Sequence, residues 1–131
     1  LPVVFPVGMD KDGVTYNINA DEAASSIATA LRAEKLAYLS DVEGVRLDPE
    51  DPESVISELY TNEAQDLIEQ GVISGGMLPK IENCIDAINK GVSRVHIMDG
   101  RIPHGLLLEI FTNKGIGTAI IKENEEKYWN E

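Results

Sequence analysis

Around Tyr16-Asn17-Ile18-Asn19-Ala20-Asp21-Glu22-Ala23-Ala24 an extended run hands over to an alanine-rich helix, and this junction constrains what the rest of the chain can form. Asn19 has the side chain of a helix N-cap, and Glu22 stands three residues on, a capping-box-like spacing that predicts a helix from Ala20 to about Arg32. Within it Ala23, Ala24, Ile27, Ala28 and Leu31 recur at three and four residues, a narrow stripe expected to be largely buried against a sheet. Asn17 then falls just before the helix and Asp21 in its first turn, where free backbone N–H groups and partial positive charge favour anions. Two readings fit these residues: asparagines that only cap and turn the chain, or an amide and a carboxylate delivered to one binding point.

The segments on either side extend the pattern. Leu1 to Val7 reads as a buried strand, and Asp10-Lys11-Asp12-Gly13 as the turn of a hairpin that resumes at Val14; the further ligands and closing glutamate of a calcium loop are missing. A chain that opens inside a core strand, without an initiator methionine, is expected to be a piece of a longer protein. Lys35 to Ser40 is a nearly continuous apolar run, so strand, helix and strand predict a parallel crossover unit. Ligands collect beyond the carboxyl ends of such strands, which marks Ser40 to Arg46 as a candidate binding loop. Asp48 to Glu53 is acidic, holds two prolines and reads as a surface excursion. Thr61 is expected to cap a helix to about Gln70, with Ala64, Leu67 and Ile68 inward and Gly71 as its stop.

A second candidate site begins at Val72-Ile73-Ser74-Gly75-Gly76, which opens a helix containing Pro79 and Lys80 in its first turn and Ile81, Cys84, Ile85 and Ile88 as its apolar set. A glycine pair lets backbone N–H groups approach an anion, whereas a lysine at that end opposes the helix dipole and implies an offsetting negative group. The spacing is not that of a Walker loop, and a hinge with an exposed lysine is the plainer alternative. Arg94 to Met98 reads as a strand ending in Asp99-Gly100-Arg101, Pro103 as the start of a helix through Phe111, Asn113 to Gly117 as a turn, Thr118 to Ile121 as a last strand and Glu123 to Glu131 as a charged tail. His96 reads as a packed core or edge histidine. His96, His104 and Cys84 show no accepted ligand spacing, so no metal site is expected.

Composition removes several function classes. The 131 residues are 43% hydrophobic, enough for one core, and the net charge of −12 argues against non-specific binding to nucleic acid or to an anionic membrane surface. Apolar runs all fall short of the roughly 18 residues needed to span a bilayer. Cys84 is the single cysteine and can form no internal disulfide, so a reducing, cytoplasmic setting is expected.

Taken together, the strings from Tyr16 to Asp21, Leu39 to Val45, Gly71 to Lys80, Val95 to Arg101 and Gly115 to Thr118 resemble the acetylglutamate kinases of the amino-acid kinase family. The resemblance runs from Pro2 to Ile121. It implies an α/β fold with an open, mostly parallel sheet sandwiched by helices, as in carbamate kinase. Residues 1–131 would be the carboxyl-terminal, nucleotide-binding lobe, with the amino-terminal substrate lobe absent. The implied reaction is ATP-dependent phosphorylation of the γ-carboxylate of N-acetyl-L-glutamate in arginine biosynthesis, with Mg2+ held mainly through the phosphates.

Where the motifs match, Asn17 would contact acetylglutamate, Asp21 would orient catalytic lysines and Lys80 would contact the transferring phosphoryl group. Ser40, Asp41, Val42, Glu43, Gly44, Val45 and Arg46 with Val72, Ile73 and Ser74 would hold ATP. The segment His96 to Arg101 is similar to that of the arginine-sensitive members, typically hexamers. This implies a homo-oligomer inhibited by L-arginine, bound through His96, Glu109 and Gly115. The isolated lobe is expected to be inactive. A non-catalytic nucleotide- or arginine-binding module, or another member of the family, is the alternative.

Overall fold

The computed structural model describes residues 1–112 and 115–123. Its elements are strands β1 (Val7–Met9) and β2 (Thr15–Asn17), helix α1 (Ala20–Leu31), strands β3 (Lys35–Ser40) and β4 (Glu58–Tyr60), helices α2 (Thr61–Glu69) and α3 (Met77–Asn89), strand β5 (Arg94–Asp99), helix α4 (Gly105–Phe111) and strand β6 (Thr118–Ile121), with a single 3-10 turn at Pro52–Ser54. The last four strands form one sheet in the order β3-β5-β6-β4. β3 with β5 and β4 with β6 are parallel, while β5 with β6 is antiparallel. Registers decide where a site can form: Ser40 lies opposite Asp99, and Thr118 opposite Ile97. The ends of β3 and β5 and the beginning of β6 therefore meet at one rim of the sheet.

β5 is buried along its whole length, as expected of a strand covered on both faces. Its alternate residues divide the core. Val95 and Ile97 pack with Leu36 and Tyr38 of β3, Ile120 of β6, Ala28 of α1 and the Ile81, Cys84 and Ile88 stripe of α3. His96 points to the opposite face, where α4 brings Glu109 against it. No helix among the described residues is long and apolar enough to cross a membrane.

Several expectations are corrected. Residues 1–6 form no strand; Leu1, Val3, Val4 and Phe5 are exposed, because the only pairing in this region is the short hairpin of β1 with β2. The parallel unit of β2, α1 and β3 does not form either. β2 pairs antiparallel with β1 across the Asp10 turn, a local closure with far less entropy to overcome than a crossover. The Asp10 carboxylate organises that turn, accepting from Asp12 N at 2.9 Å, Val14 N at 3.0 Å and the Tyr16 hydroxyl at 3.0 Å.

The small-residue stripe of α1 is buried only in part: Ala28 is 5% exposed, but Ile27 is 40% and Leu31 74%, since the helix meets α3 and β3 on one side only. Thr61 is not the cap of α2. The cap is Tyr60, whose backbone N–H donates to Glu63 Oε2 at 2.9 Å, and the three residues before the helix are β4, a strand too short to show a period in sequence. α4 begins at Gly105, two residues after Pro103, behind His104 in the left-handed region. Asn113, Lys114 and the tail from 124 onward lie outside the described residues.

The approach of β6 to β5 leaves no space for a side chain at Gly117, where a Cβ would collide with the Ile97 carbonyl oxygen and the Met98 Cβ. Gly117→Ala is expected to destabilise the protein by about 1–3 kcal/mol, the scale of overpacking a tight core. The check is the urea midpoint of the variant; an unchanged midpoint would mean that the two strands separate freely there.

Candidate functional site

At the rim where β3 and β5 end, the chain after β3 folds back over the sheet. Asp41 to Arg46, Pro49, Val72 to Ser74, Met77 and Arg101 enclose a cavity of about 360 Å³. That volume lies in the range of small-molecule sites. Val42, Val45, Val72, Ile73 and Met77 supply an apolar wall, with Asp41, Glu43, Arg46, Ser74 and Arg101 as polar groups among them.

The loop is held from three directions. Beneath it, Val45 N donates to Thr118 Oγ1 at 2.8 Å, and a Cβ at Gly44 would meet the same oxygen at 2.5 Å, so only glycine lets the loop lie so close to β6. From the side, Arg101 Nη2 donates to the Asp41 carbonyl at 2.9 Å while its guanidinium grips Asp99 through Nε at 2.9 Å and Nη2 at 2.8 Å. The Arg101 guanidinium and backbone N–H hold the Asp99 carboxyl down at about 2. Within the loop, Arg46 pairs with Glu43 at 3.1 Å and donates to the Pro49 carbonyl at 3.3 Å.

One turn beyond Met77, Lys80 projects from the first turns of α3 to Asp21, with Nζ 2.7 Å from Oδ2. Asp21 is therefore the negative group that the position of Lys80 calls for. It sits in the first turn of α1, where Asn19 Oδ1 caps the helix by accepting from Asp21 N at 2.9 Å and Glu22 N at 3.2 Å. Gly75, at φ 56, turns the chain into α3 in a conformation that favours glycine, and nothing would crowd a Cβ at Gly75 or Gly76. Behind the pair, Tyr38 is 5% exposed, and burial pushes its phenol well above the ordinary value. Burial likewise pushes the Cys84 thiol up to about 12, so Cys84 is a small protonated core residue.

A third cluster lies on the far face of the sheet. His96 Nδ1 is 2.8 Å from Glu109 Oε1, and Glu109 Oε2 accepts from Ile116 N at 2.7 Å and Gly117 N at 3.0 Å. An ionised carboxylate only accepts, so Nδ1 carries the hydrogen. His96 Nε2 is buried with no hydrogen-bond partner among the described residues. Burial raises the Glu109 carboxyl, but the His96 and backbone hydrogen bonds outweigh it and leave the group below its ordinary value.

A profile described as the amino acid kinase family matches residues 1–99. The chain belongs to that family. The acetylglutamate kinase of Heliobacterium modesticaldum is 53% identical over 122 residues, covering 93% of this chain and 41% of that protein. For the acetylglutamate kinase of Methanobrevibacter smithii the identity is 57% over 122 residues, with 93% and 42% covered. The chain thus spans about two fifths of the length of these relatives. Among solved structures, N-acetylglutamate synthase from Neisseria gonorrhoeae complexed with coenzyme A and N-acetyl-glutamate is similar at a TM-score of 0.82 and 37% identity, over 92% of this chain and 27% of that one. Carbamate kinase from Giardia lamblia bound to AMP-PNP, at a TM-score of 0.65 and 24% identity over 89% of this chain and 37% of that one, shares the fold. The amino-acid kinase fold is accordingly the architecture of this chain.

Within that family fold the sequence candidates fall into groups. Asp41 to Arg46 and Val72 to Ser74 line the same cavity, whereas Ser40 stands just outside the lining with its hydroxyl 3.3 Å from Asp41 Oδ1. Asp21 and Lys80 meet, and Asn17 is exposed at the end of β2, two residues before the α1 cap. His96, Glu109 and Gly115 converge, since a Cβ on Gly115 would lie 2.6 Å from Glu109 Oε2. Pro49, Met77, Arg101 and Thr118 are additional. Asp99-Gly100-Arg101 at a strand end is a visible signal for Arg101, but nothing in the sequence announces Thr118, whose partner is 73 residues away.

The Glu109 network sets a pH dependence. Its folded carboxyl lies below the ordinary value of 4.5, so its contribution to stability is fully present above that value and drains away as the pH falls through the lower folded one. Glu109→Gln, whose amide oxygen can still accept from the two backbone N–H groups but which carries no titrating carboxyl, is expected to flatten the fall in unfolding free energy below about pH 4.5. Urea unfolding at a series of acidic pH values checks this; an unchanged slope would remove Glu109 as its source.

Proposed function

We propose that the chain is the carboxyl-terminal, nucleotide-binding lobe of an acetylglutamate kinase, which transfers the γ-phosphoryl group of ATP to the γ-carboxylate of N-acetyl-L-glutamate and forms N-acetyl-L-glutamyl 5-phosphate. The observation that carries this reading is the Lys80–Asp21 pair, placed one turn from a cavity of a size that accepts a nucleoside. Relatives named acetylglutamate kinase, at 52 to 57% identity, support the choice of acceptor.

Phosphoryl transfer spreads negative charge over equatorial oxygens and asks little covalent work of the protein. In this reading the apolar wall takes the base, the loop from Asp41 to Arg46 takes the rest of the nucleoside, and the Lys80 ammonium meets the transferring group. Asp21, 2.7 Å away, aims that ammonium. It need not act as a base, because the attacking group is already a carboxylate. Asn17 would contribute its amide to acetylglutamate. Magnesium would arrive with the phosphates and neutralise their charge. The remaining contacts to acetylglutamate belong to the other lobe of a cytoplasmic, hexameric enzyme.

Lys80→Ala in the complete enzyme is expected to lower kcat by about a hundredfold or more, the scale of removing one preorganised charge-stabilising donor. Asp21→Asn should depress kcat more than it raises KM for ATP. A Lys80→Ala enzyme with undiminished turnover would overturn the proposed mechanism.

Feedback by L-arginine belongs to the same reading, supported by the convergence of His96, Glu109 and Gly115. Glu109 is 8% exposed and already holds three partners, so a guanidinium would have to share or displace one of them. Arginine is expected to inhibit the complete enzyme and to lose effect in Glu109→Gln, measured by titration at fixed substrate; equal inhibition of both would sink this site.

A second reading has one observation in its favour. The Neisseria gonorrhoeae synthase complexed with coenzyme A and L-arginine is similar at a TM-score of 0.79 and 37% identity. Under that reading the lobe binds a regulator and transfers no phosphoryl group. Arginine binding by the complete protein without any ATP turnover would select it.

A further inference from the structure

Tyr38 occupies the middle of β3 on the core face, opposite Ile97 of β5, where an aliphatic residue would pack as well. Instead it brings a ring and a hydroxyl to the same two residues. Its hydroxyl donates to the Asp21 backbone carbonyl at 3.1 Å. Its ring lies under Lys80, with Nζ 5.5 Å from the centroid, within reach of a cation–π attraction. Lys80 Nζ in turn is 2.7 Å from Asp21 Oδ2. Three elements, the start of α1, the middle of β3 and the start of α3, are thereby joined through one side chain.

We infer that Tyr38 is a positioning residue for phosphoryl transfer: its ring is the platform on which the Lys80 ammonium rests, and its hydroxyl fixes the residue whose carboxylate aims that ammonium. The inference rests on the kinase reading above and deepens it. Burial keeps the phenol protonated, so the hydroxyl remains a donor at any working pH. An ammonium on a flexible four-carbon stem, paired with a single carboxylate, can swing about that contact. The ring closes off one side of the swing and, being apolar in its body, leaves the ammonium few waters to lose when a phosphate approaches.

The test is a double-mutant cycle in the complete enzyme, with Tyr38→Leu and Tyr38→Phe each made in the wild-type and Lys80→Ala backgrounds. In the wild-type background Tyr38→Leu is expected to lower kcat about tenfold with KM for ATP within about twofold, and Tyr38→Phe, which keeps the ring, to lower it about threefold. In the Lys80→Ala background both losses are expected to vanish, because a residue that acts through Lys80 has nothing left to act on. A residue that serves only packing would reduce kcat equally in both backgrounds, and that result overturns the inference. Should Tyr38→Leu fail to fold, the Tyr38→Phe cycle decides by the same criterion. If the wild-type enzyme transfers no phosphoryl group to N-acetyl-L-glutamate, the kinase reading falls and this inference with it. If it does, and Lys80→Ala impairs it, an additive cycle removes the role of Tyr38 alone.

Discussion

A lysine in the first turns of a helix stands against the field of that helix, and here Asp21 at 2.7 Å is what holds it there. The carboxylate in turn lies where its own helix favours it, in the first turn of α1 behind the Asn19 cap. Two helices that begin far apart in sequence are thus drawn together at their amino-terminal ends, one of them suited to its charge and the other not. The rest of the fold fits around this meeting: α1 packs on α3, α1 rests on β3 and α3 on β5 and β6, and the segment before α3 lines the cavity at the rim where the strands end.

The rim has its own anchor on the other side of the sheet. Glu109 of α4 gathers the N–H groups of Ile116 and Gly117 on one oxygen and His96 on the other. The turn it fixes leads at once into Thr118, and Thr118 takes the N–H of Val45 from the loop that lines the cavity. Contacts of 2.7 to 3.0 Å therefore run without a gap from the far face of the sheet to the cavity loop. Glycine at 44 and at 117 is what lets backbone lie this close to backbone along the way.

Legibility in the sequence followed locality. α1 and α3 were readable because the Asn19 cap and the Ile81, Cys84, Ile88 period are written within a few residues, and the cavity loop because it follows an unmistakable strand. The hairpin was legible from Asp12-Gly13, yet its neighbourhood was not: periodicity says that Val3, Val4 and Phe5 want cover without saying whether anything provides it. β4 escaped because three residues carry no period, and the β2–α1–β3 crossover was read from sequence order, whereas β2 lies outside the sheet of β3 and pairs with β1, the hairpin that the turn chemistry announces. The site was legible as pieces. That Asp21 and Lys80 touch, or that Thr118 holds Val45, follows from tertiary packing across 59 and 73 residues, which no local pattern encodes.

The exposed apolar surface at the start of the chain carries a consequence for colloidal behaviour. Phe5 at 76% and Leu31 at 74% exposure line one cleft, where residues 2–7 run beside α1 and leave apolar clefts between. Copies of the chain with such a surface attract one another, and the charge of −12 is the force that opposes it. Salt weakens that repulsion over a Debye length of about 10 Å at 0.1 M, while leaving the apolar attraction intact. Dilute buffer therefore keeps this polypeptide dispersed, and rising ionic strength shifts the balance toward association.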